Sequence, residues 1–528
     1  MEFVSVFLYD SQFLDVKLKC AICSTEKRSW LKFFDEYEYR DLYERRGIKH
    51  KWWNWYDEND TPEERRYIAK LDLLITSYCF VSYWNITDCV DNAYVSGMKD
   101  DLNLGGNDLV HLQVMYTLGV VIFELPFMYL FSKVRMNWLI PGMDIVWGFF
   151  TLAQYRAKSQ REMMAYRFLI GSAEGCFFPG VHYVLGSWFK SHELQRCGGI
   201  FYFGLMLGSC TTGLLQAAVY KHLNGYHGLA GWRWMFAIDA IITIPVGILG
   251  FFVWPGTPEK VQSFFLTEKD LEISRRRANL NAFSNSKGFS WSVIKKACTS
   301  WHLPVIFIWN TFFFNSGAQA GTFLLWLQSL GTLSKPMINN LSAIPPALGI
   351  FFVFVACFGA DVFRSRWFFL CLAQAVNFTG LVILAVWNVP DSAKWYAFMV
   401  QYAAWSMSSV LYGWVNDILR HDNEYRSILI TGMTIFATQS TAWTPLIFWK
   451  TTAAPRYRTG YIYASVISFC LIIWTFVVLF FFKRDERNYY FERLHEAQAS
   501  DDDIQDHVNK IVRMLISFNE NVVTAKGK

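Results

Sequence analysis

Long runs of apolar residues, separated by shorter polar segments, dominate the chain. Runs of about 18 to 25 apolar residues are long enough to cross a bilayer as helices. They lack the alternation of barrel strands, and backbone amides in lipid must find partners within their own segment, so the pattern predicts helices. About twelve such runs occur, at 71–89, 109–131, 138–155, 163–188, 197–220, 234–254, 303–327, 342–363, 367–389, 395–419, 426–449 and 459–482. The predicted fold is an all-α polytopic membrane protein.

The spacing of these spans predicts two bundles of six helices. The longest polar stretch between spans runs from 256 to 300 and separates the sixth span from the seventh. The predicted division is an amino-terminal tail (1–70), a first bundle (71–254), a linker (255–302), a second bundle (303–482) and a carboxyl tail (483–528). Thr61 and Glu64 form a capping box that starts a helix before the first span. Paired bundles of this kind are typical of secondary transporters, with a binding site between the halves.

Basic residues indicate the orientation of the chain, although the net charge is only +5. The tails and even-numbered loops hold about 37 Lys and Arg residues, against about 11 in the odd-numbered loops. We therefore expect both termini and the linker to be cytoplasmic. The cluster of Arg156, Lys158 and Arg161 lies on the predicted outer side and runs against this rule.

The fourth span carries charge inside an apolar helix, at Arg167 and Glu174. Each charge in lipid costs several kcal/mol, so both side chains should face a cavity or a partner. Seven residues separate them, which places them on one face about two turns apart. Arg167 either neutralises an anionic substrate or forms a structural pair with Glu174, since a guanidinium matches carboxylate geometry in both cases.

Carboxylates at membrane depth can load a proton on one side and release it on the other, as proton coupling requires. Glu124 in the second span and Glu174 are the candidates. A structural ion pair or polar contact is an equal alternative for Glu124. Asp88, at the outer end of the first span, is a third candidate, although it and Asp91 also fit a position at the outer interface.

Uncharged polar side chains in several spans are candidates for binding a substrate. In the seventh span three of them are spaced by five and four residues, and the nearby Gly317 and Gly321 predict a broken helix that lines a cavity. Packing of helices through small residues is the alternative. Together with Arg167, the predicted substrate-binding residues are His182, Asn310, Asn315, Gln319 and Gln401.

Other function classes find little support. The chain has no phosphate-binding loop, nucleophile elbow or His-Glu-x-x-His sequence, so we expect no enzyme activity and no cofactor. Cys20 and Cys23 lack the two further ligands that zinc needs. The basic linker suits a surface beside anionic lipid, so no nucleic-acid partner is expected. Energy must then come from an ion gradient or from the substrate's own gradient.

Several segments resemble one family. They include the run 92–98 (Asn-Ala-Tyr-Val-Ser-Gly-Met), the fourth span, Gly186 to Phe189, and the block from Leu215 to Trp234. These residues resemble the fungal anion:cation symporters of the major facilitator superfamily, a group that includes allantoate, pantothenate, biotin and nicotinate permeases. The block 215–234 is most similar to pantothenate permeases, whereas 454–457 and 483–488 are more similar to carriers of vitamins and sulfur compounds. The family's Asp-basic pair is replaced here by Ile86-Thr87-Asp88.

The resemblance implies a proton-coupled importer of a small organic anion, working by alternating access in the plasma membrane. Pantothenate is the first expected substrate, and biotin, allantoate or a sulfur-containing carboxylate are the alternatives. The expected partners are this anion, protons and the bilayer, and we expect a monomer. A transporter-like nutrient sensor remains the alternative from another class.

Overall fold

The computed structural model describes residues 30–38, 56, 61–85, 89–189, 191–261, 263, 265–280, 291–319, 321–420 and 423–525. The chain divides into two compact units. One is Lys51–Val477, and the other combines Met1–His50 with Val478–Lys528. In the second unit, the Lys483 ammonium lies 3.0 Å from the Glu38 carboxylate. The Cys20–Cys23 pair lies outside the described residues.

The described residues form twelve helical stretches that correspond to the predicted spans, together with short connecting and linker helices and no strand. Their bounds are α1 (Pro62–Leu71, Asp72–Thr76, Ser77–Asn85, then Val90–Ala93, Tyr94–Met98, Lys99–Asp101), α2 (Asp108–Lys133), α3 (Met136–Ala153), α4 (Gln160–Glu174, Phe177–Trp188), α5 (Ser191–Leu223), α6 (Gly231–Val253), α7 (His302–Asn315, Thr322–Ser329), α8 (Lys335–Ser342, Ile344–Val362), α9 (Arg366–Val386), α10 (Asp391–Met399, Ala403–Ser406, Ser408–Ile418), α11 (Asn423–Phe448) and α12 (Arg458–Ala525).

Seven helices of the described part of the chain can cross a membrane by length and composition alone: α2, α4, α5, α6, α8, α9 and α12. The other five differ for two reasons. α3 and α11 are continuous but carry more polar side chains, whereas α1, α7 and α10 are interrupted, so each continuous piece is short. α4 also has a break, between Glu174 and Phe177. The predicted break in the seventh span is therefore confirmed, and α1, α4, α8 and α10 are also interrupted.

Helical structure is present beyond residue 89, the predicted end of the first span. The helical path resumes at Val90 and continues to Asp101. Hydropathy falls in this stretch because it contains Asp91, Asn92 and Ser96, yet all three are buried within the protein. Polar residues that pack against protein instead of lipid need not end a helix, and a hydropathy window cannot tell the two environments apart.

Close packing of α2 against α4 fixes the position of the charged residues in α4. Gly119 and Gly171 let the two backbones meet, because a Cβ atom at Gly171 would collide with the carbonyl oxygen of Tyr116. Likewise, a Cβ atom at Gly119 would collide with the carbonyl oxygen of Phe168. Small residues at such contacts are typical of membrane helices.

The start of α1 is anchored to the linker. The predicted capping box is confirmed, since Thr61 caps the Glu64 amide while the Glu64 carboxylate accepts from the Thr61 amide at 2.9 Å. Glu64 also accepts from Arg276 at 2.9 Å, and Lys70 donates to Asp270 at 2.8 Å. Arg276 and Asp270 both lie in the linker helix Glu268–Leu280. The first linker helix is thus tied to the first bundle.

The Glu64 carboxylate is expected to contribute to stability in a pH-dependent way. Burial disfavours its charge, but hydrogen bonds from Thr61 and Arg276 outweigh this and lower the pKa of Glu64 from 4.5 to about 2. The stabilisation is therefore complete above pH 4.5 and is lost as the pH falls through about 2. Replacement Glu64→Gln should lower the free energy of unfolding by about 2 kcal/mol at neutral pH, a value discounted for the exposed Arg276.

Thermal unfolding of the purified protein, followed from neutral to acid pH, measures this difference. The exposed neighbour Glu63 provides the matched control, and Glu63→Gln should leave the melting temperature unchanged. A Glu64→Gln defect that stays constant throughout the acid range would contradict an electrostatic origin.

Candidate functional site

A cavity of about 910 Å³, counting the part open to solvent, lies between the two bundles. Its walls come from α1, α2, α4 and α5 on one side and from α7, α10 and α11 on the other. The interruptions of α4, α7 and α10 lie close to this cavity. The residues at or near these interruptions that line the cavity are Glu174 and Gly175 of α4, Phe314 of α7 and Trp405 of α10. The predicted chamber between two bundles is therefore present.

Glu124 lines this cavity and is only 2% exposed. Within the described part of the chain, its Oε2 atom has no hydrogen-bond partner. A buried polar atom without a hydrogen-bond partner destabilises the fold by about 1–3 kcal/mol, so its presence indicates a functional role. The alternative to proton coupling was a structural ion pair or polar contact, and the described residues form no ion pair with Glu124.

Arg167 and Glu174 lie together in a second, smaller cavity of about 300 Å³, counting the part open to solvent. Arg167 is 3% exposed, and its guanidinium carbon lies 4.6 Å from the centre of the Tyr116 ring, within cation–π distance. The Tyr116 hydroxyl donates to the Glu174 carboxylate at 2.5 Å. Tyr116 and Glu174 line both cavities, so the two spaces are neighbours.

Asp239 of α6 also lines the smaller cavity, and sequence analysis missed it. The thiol of Cys89 lies 3.6 Å from its carboxylate. One guanidinium therefore shares the lining of this small cavity with two carboxylates. An aspartate inside the sixth predicted span was the available signal, by the same reasoning that singled out Arg167.

The remaining predicted residues have mixed positions. Asn310 donates to the Met433 carbonyl at 3.0 Å, and Asn315 donates to Ser440 at 2.6 Å and accepts from Thr444 at 3.1 Å. These bonds join α7 to α11 and correspond to the helix-packing alternative. His182 donates through Nδ1 to the Phe178 carbonyl at 2.9 Å, among aromatic rings that include Tyr412. Gln401 lies beside Tyr461.

Gln319 joins the two bundles. Its amide donates to Gln113 at 3.0 Å, and Gln113 donates to Asp91 at 2.7 Å. The Asp91 carboxylate packs against Gly321, which has a φ of +82° and leaves no room for a Cβ atom. The other predicted aspartate, Asp88, lies outside the described residues.

More polar contacts between the bundles lie at the same end of the molecule, where the odd-numbered loops are. Asn92 donates to Asn339 at 3.0 Å, and Asn339 donates to Ser96 at 2.9 Å. Nearby, the Thr452 amide donates to Asn107 at 3.3 Å. These bonds join the two bundles at that end, and the sequence held no signal for them beyond the polar residues after position 89.

Three threonines of α11 also line the central cavity and were missed by sequence analysis: Thr434, Thr438 and Thr441. Spacings of four and three residues put them on one face of the helix. A threonine repeat at helical spacing within an apolar span was the available signal. Tyr83, Tyr202 and Trp405 give the rest of the lining an aromatic character.

Comparisons with known proteins agree with this architecture. Residues 77–438 match the family described as the Major Facilitator Superfamily. The vitamin H transporter of Saccharomyces cerevisiae is 40% identical over 477 residues, covering 88% of this chain and 80% of that protein. The pantothenate transporter liz1 of Schizosaccharomyces pombe is 33% identical, covering 84% and 87%.

A solved D-xylose-proton symporter superposes with a TM-score of 0.55 at 12% identity, covering 79% of this chain and 97% of that one, a likeness of fold alone. Family match and relatives together show that the chain is a multi-pass membrane transporter, not an enzyme, and that it belongs to the major facilitator superfamily, within its group of fungal vitamin and carboxylate permeases.

Proposed function

We propose that the protein imports a vitamin-type carboxylate, biotin or pantothenate, together with protons. The observation that carries this proposal is the grouping of Arg167, Glu174 and Asp239 in one small cavity beside the central one. The relatives named for vitamin H and for pantothenate support this substrate class, and the higher identity to the vitamin H transporter makes biotin the first substrate to test.

The charges in this cavity explain how entry of the anion is coupled to binding of a proton. With all three groups ionised the cavity carries a net charge of −1, which opposes entry of an anion in a low-dielectric site. Protonation of one carboxylate removes that opposition and frees Arg167 to pair with the substrate carboxylate. Because the linkage is reciprocal, the bound anion in turn favours proton binding. Anion and proton therefore enter together.

Glu174 is the proton-binding group we propose at this site, because it lines both cavities. Glu124, the other acid of the central cavity, is the second. The other titratable groups that line the two cavities are Cys89, Tyr83 of α1, Tyr116 of α2, Arg167 of α4, Tyr202 of α5 and Asp239 of α6. We further propose that the protein acts as a monomer in the plasma membrane, with both termini cytoplasmic.

Uptake tests the function directly. Yeast lacking its own vitamin permeases and expressing this chain should grow on limiting biotin or pantothenate and accumulate the labelled vitamin, and an ionophore that collapses the proton gradient should stop accumulation. Purified protein that binds the vitamin but never moves it into vesicles would instead support a nutrient sensor.

Replacement Glu174→Gln is expected to remove the acid stimulation of uptake. The amide keeps an oxygen to accept from Tyr116 but cannot bind the proton, so a response of up to about tenfold per pH unit should become nearly flat. Labelled uptake measured across external pH provides the test. Glu162, exposed at the start of the same helix, is the control, and Glu162→Gln should keep the wild-type pH profile. An unchanged profile in Glu174→Gln would assign the proton to another group.

A further inference from the structure

The threonine face of α11 presents hydrogen-bond acceptors to the central cavity. Thr438 donates its hydroxyl proton to the Thr434 carbonyl at 2.9 Å, and Thr441 donates to the Thr438 carbonyl at 2.7 Å. A hydroxyl has one proton to donate and two lone pairs that accept. Both side chains line the cavity, and with their protons committed to the backbone they offer only acceptors to a ligand.

Thr434 is partly occupied already. Its hydroxyl donates to the Ile430 carbonyl at 2.9 Å and lies 3.3 Å from the Tyr412 hydroxyl. Threonines that donate to a carbonyl of their own helix are common in membrane helices, so a single one does not indicate a binding site. What distinguishes Thr438 and Thr441 is that both line the cavity one turn apart, without a second polar partner in the described structure.

Glu124 adds an independent observation from the opposite bundle. It lines the same cavity, is 2% exposed, and its Oε2 atom has no hydrogen-bond partner among the described residues. A carboxyl group accepts hydrogen bonds when ionised and keeps a carbonyl acceptor when protonated. Proton binding at Glu124 is therefore compatible with acceptance from a ligand. Acceptors from both bundles thus face one space.

We propose that Thr438, Thr441 and Glu124 form an acceptor subsite that selects substrates carrying N–H or O–H donors away from their carboxylate. This inference rests on the proposed function, because it assigns Arg167 to the carboxylate end and the subsite to the other end. Biotin offers ureido N–H groups there, and pantothenate offers an amide N–H and hydroxyls. Buried acceptors reject a ligand that leaves them unpaired, because it does not replace the lost hydrogen bonds to water.

Lipoate is the discriminating ligand, since it has a carboxylate on a similar chain but a ring without any N–H or O–H. Calorimetry with the purified full-length protein should show that the wild type binds biotin or pantothenate more tightly than lipoate. In the variant Thr438→Val/Thr441→Val, affinity for the donor-bearing vitamin should fall by about fivefold for each hydroxyl lost, while lipoate binding stays unchanged.

Two further variants separate recognition from packing. Thr438→Ser/Thr441→Ser keeps the hydroxyls and should keep the wild-type preference. Thr311 of α7 donates to the Phe307 carbonyl at 2.8 Å in the same way but is not part of the cavity lining, so Thr311→Val should bind all three ligands like the wild type.

The subsite is overturned if the wild type does not prefer the vitamins to lipoate, if the double valine variant keeps that preference, or if it loses lipoate and vitamin affinity equally. Failure of the proposed function looks different. If the wild type shows the preference but moves neither vitamin across vesicles, the transport proposal is wrong and the subsite is retained. If transport is normal and the double valine variant keeps the full preference, only the subsite is wrong.

Discussion

Replacement of Arg167 by glutamine is expected to reduce vitamin uptake by about a hundredfold or more. The guanidinium is 3% exposed and shares its small cavity with two carboxylates, so its loss leaves no cation for a substrate anion in that cavity. Lysine should restore little, because a point charge does not reproduce bidentate pairing with a carboxylate. Initial rates of labelled uptake, normalised to surface expression, measure the effect.

A structural role for Arg167 predicts a different pattern. The single variant leaves Glu174 and Asp239 without their cation, which by itself could destabilise the protein. The double variant Arg167→Gln/Asp239→Asn removes one charge of each sign and should recover expression. If Arg167 binds substrate, the double variant is well expressed yet inactive, whereas recovery of uptake would assign Arg167 to a purely structural ion pair. Arg161→Gln, at the exposed start of α4, is the control.

The general architecture follows from the sequence because it depends on composition averaged over long segments. Hydropathy located the twelve stretches, and the glycines at 317 and 321 indicated the break in α7. The breaks in α1, α4, α8 and α10 were not predicted. They depend on how single residues pack against other helices, as at Gly175, where a Cβ atom would crowd the Val120 carbonyl of α2.

The candidate site was predictable where charge in lipid gives a large energetic signal. Arg167 and Glu174 were singled out for that reason and do share a cavity. Uncharged side chains give a weaker signal, because an amide in a membrane helix serves packing or a ligand equally well. Asn310 and Asn315 bond to α11, whereas Thr438 and Thr441 line the cavity. Packing in the folded protein distinguishes these uses, since periodicity shows which residues share a face but not what that face contacts.

A disulfide between positions 92 and 339 is expected to stop transport. The two asparagine side chains meet at 3.0 Å across the bundles, at the end where polar contacts join them. Alternating access requires the bundles to separate there in every cycle, so a covalent link should trap the closed arrangement. In the variant Asn92→Cys/Asn339→Cys, formation of the disulfide, verified by the loss of free thiols, should lower uptake to below about a tenth, and a reducing agent should restore it.

Each single cysteine variant, treated with the same oxidant, controls for the change of side chain, and the wild type controls for its own eleven cysteines. Ser96→Cys/Asn339→Cys places a second link in the same contact, since Asn339 also donates to Ser96 at 2.9 Å, and should behave alike. Uptake that persists after complete cross-linking of either pair would mean that the bundles need not part at this end, and alternating access would then lack a gate there.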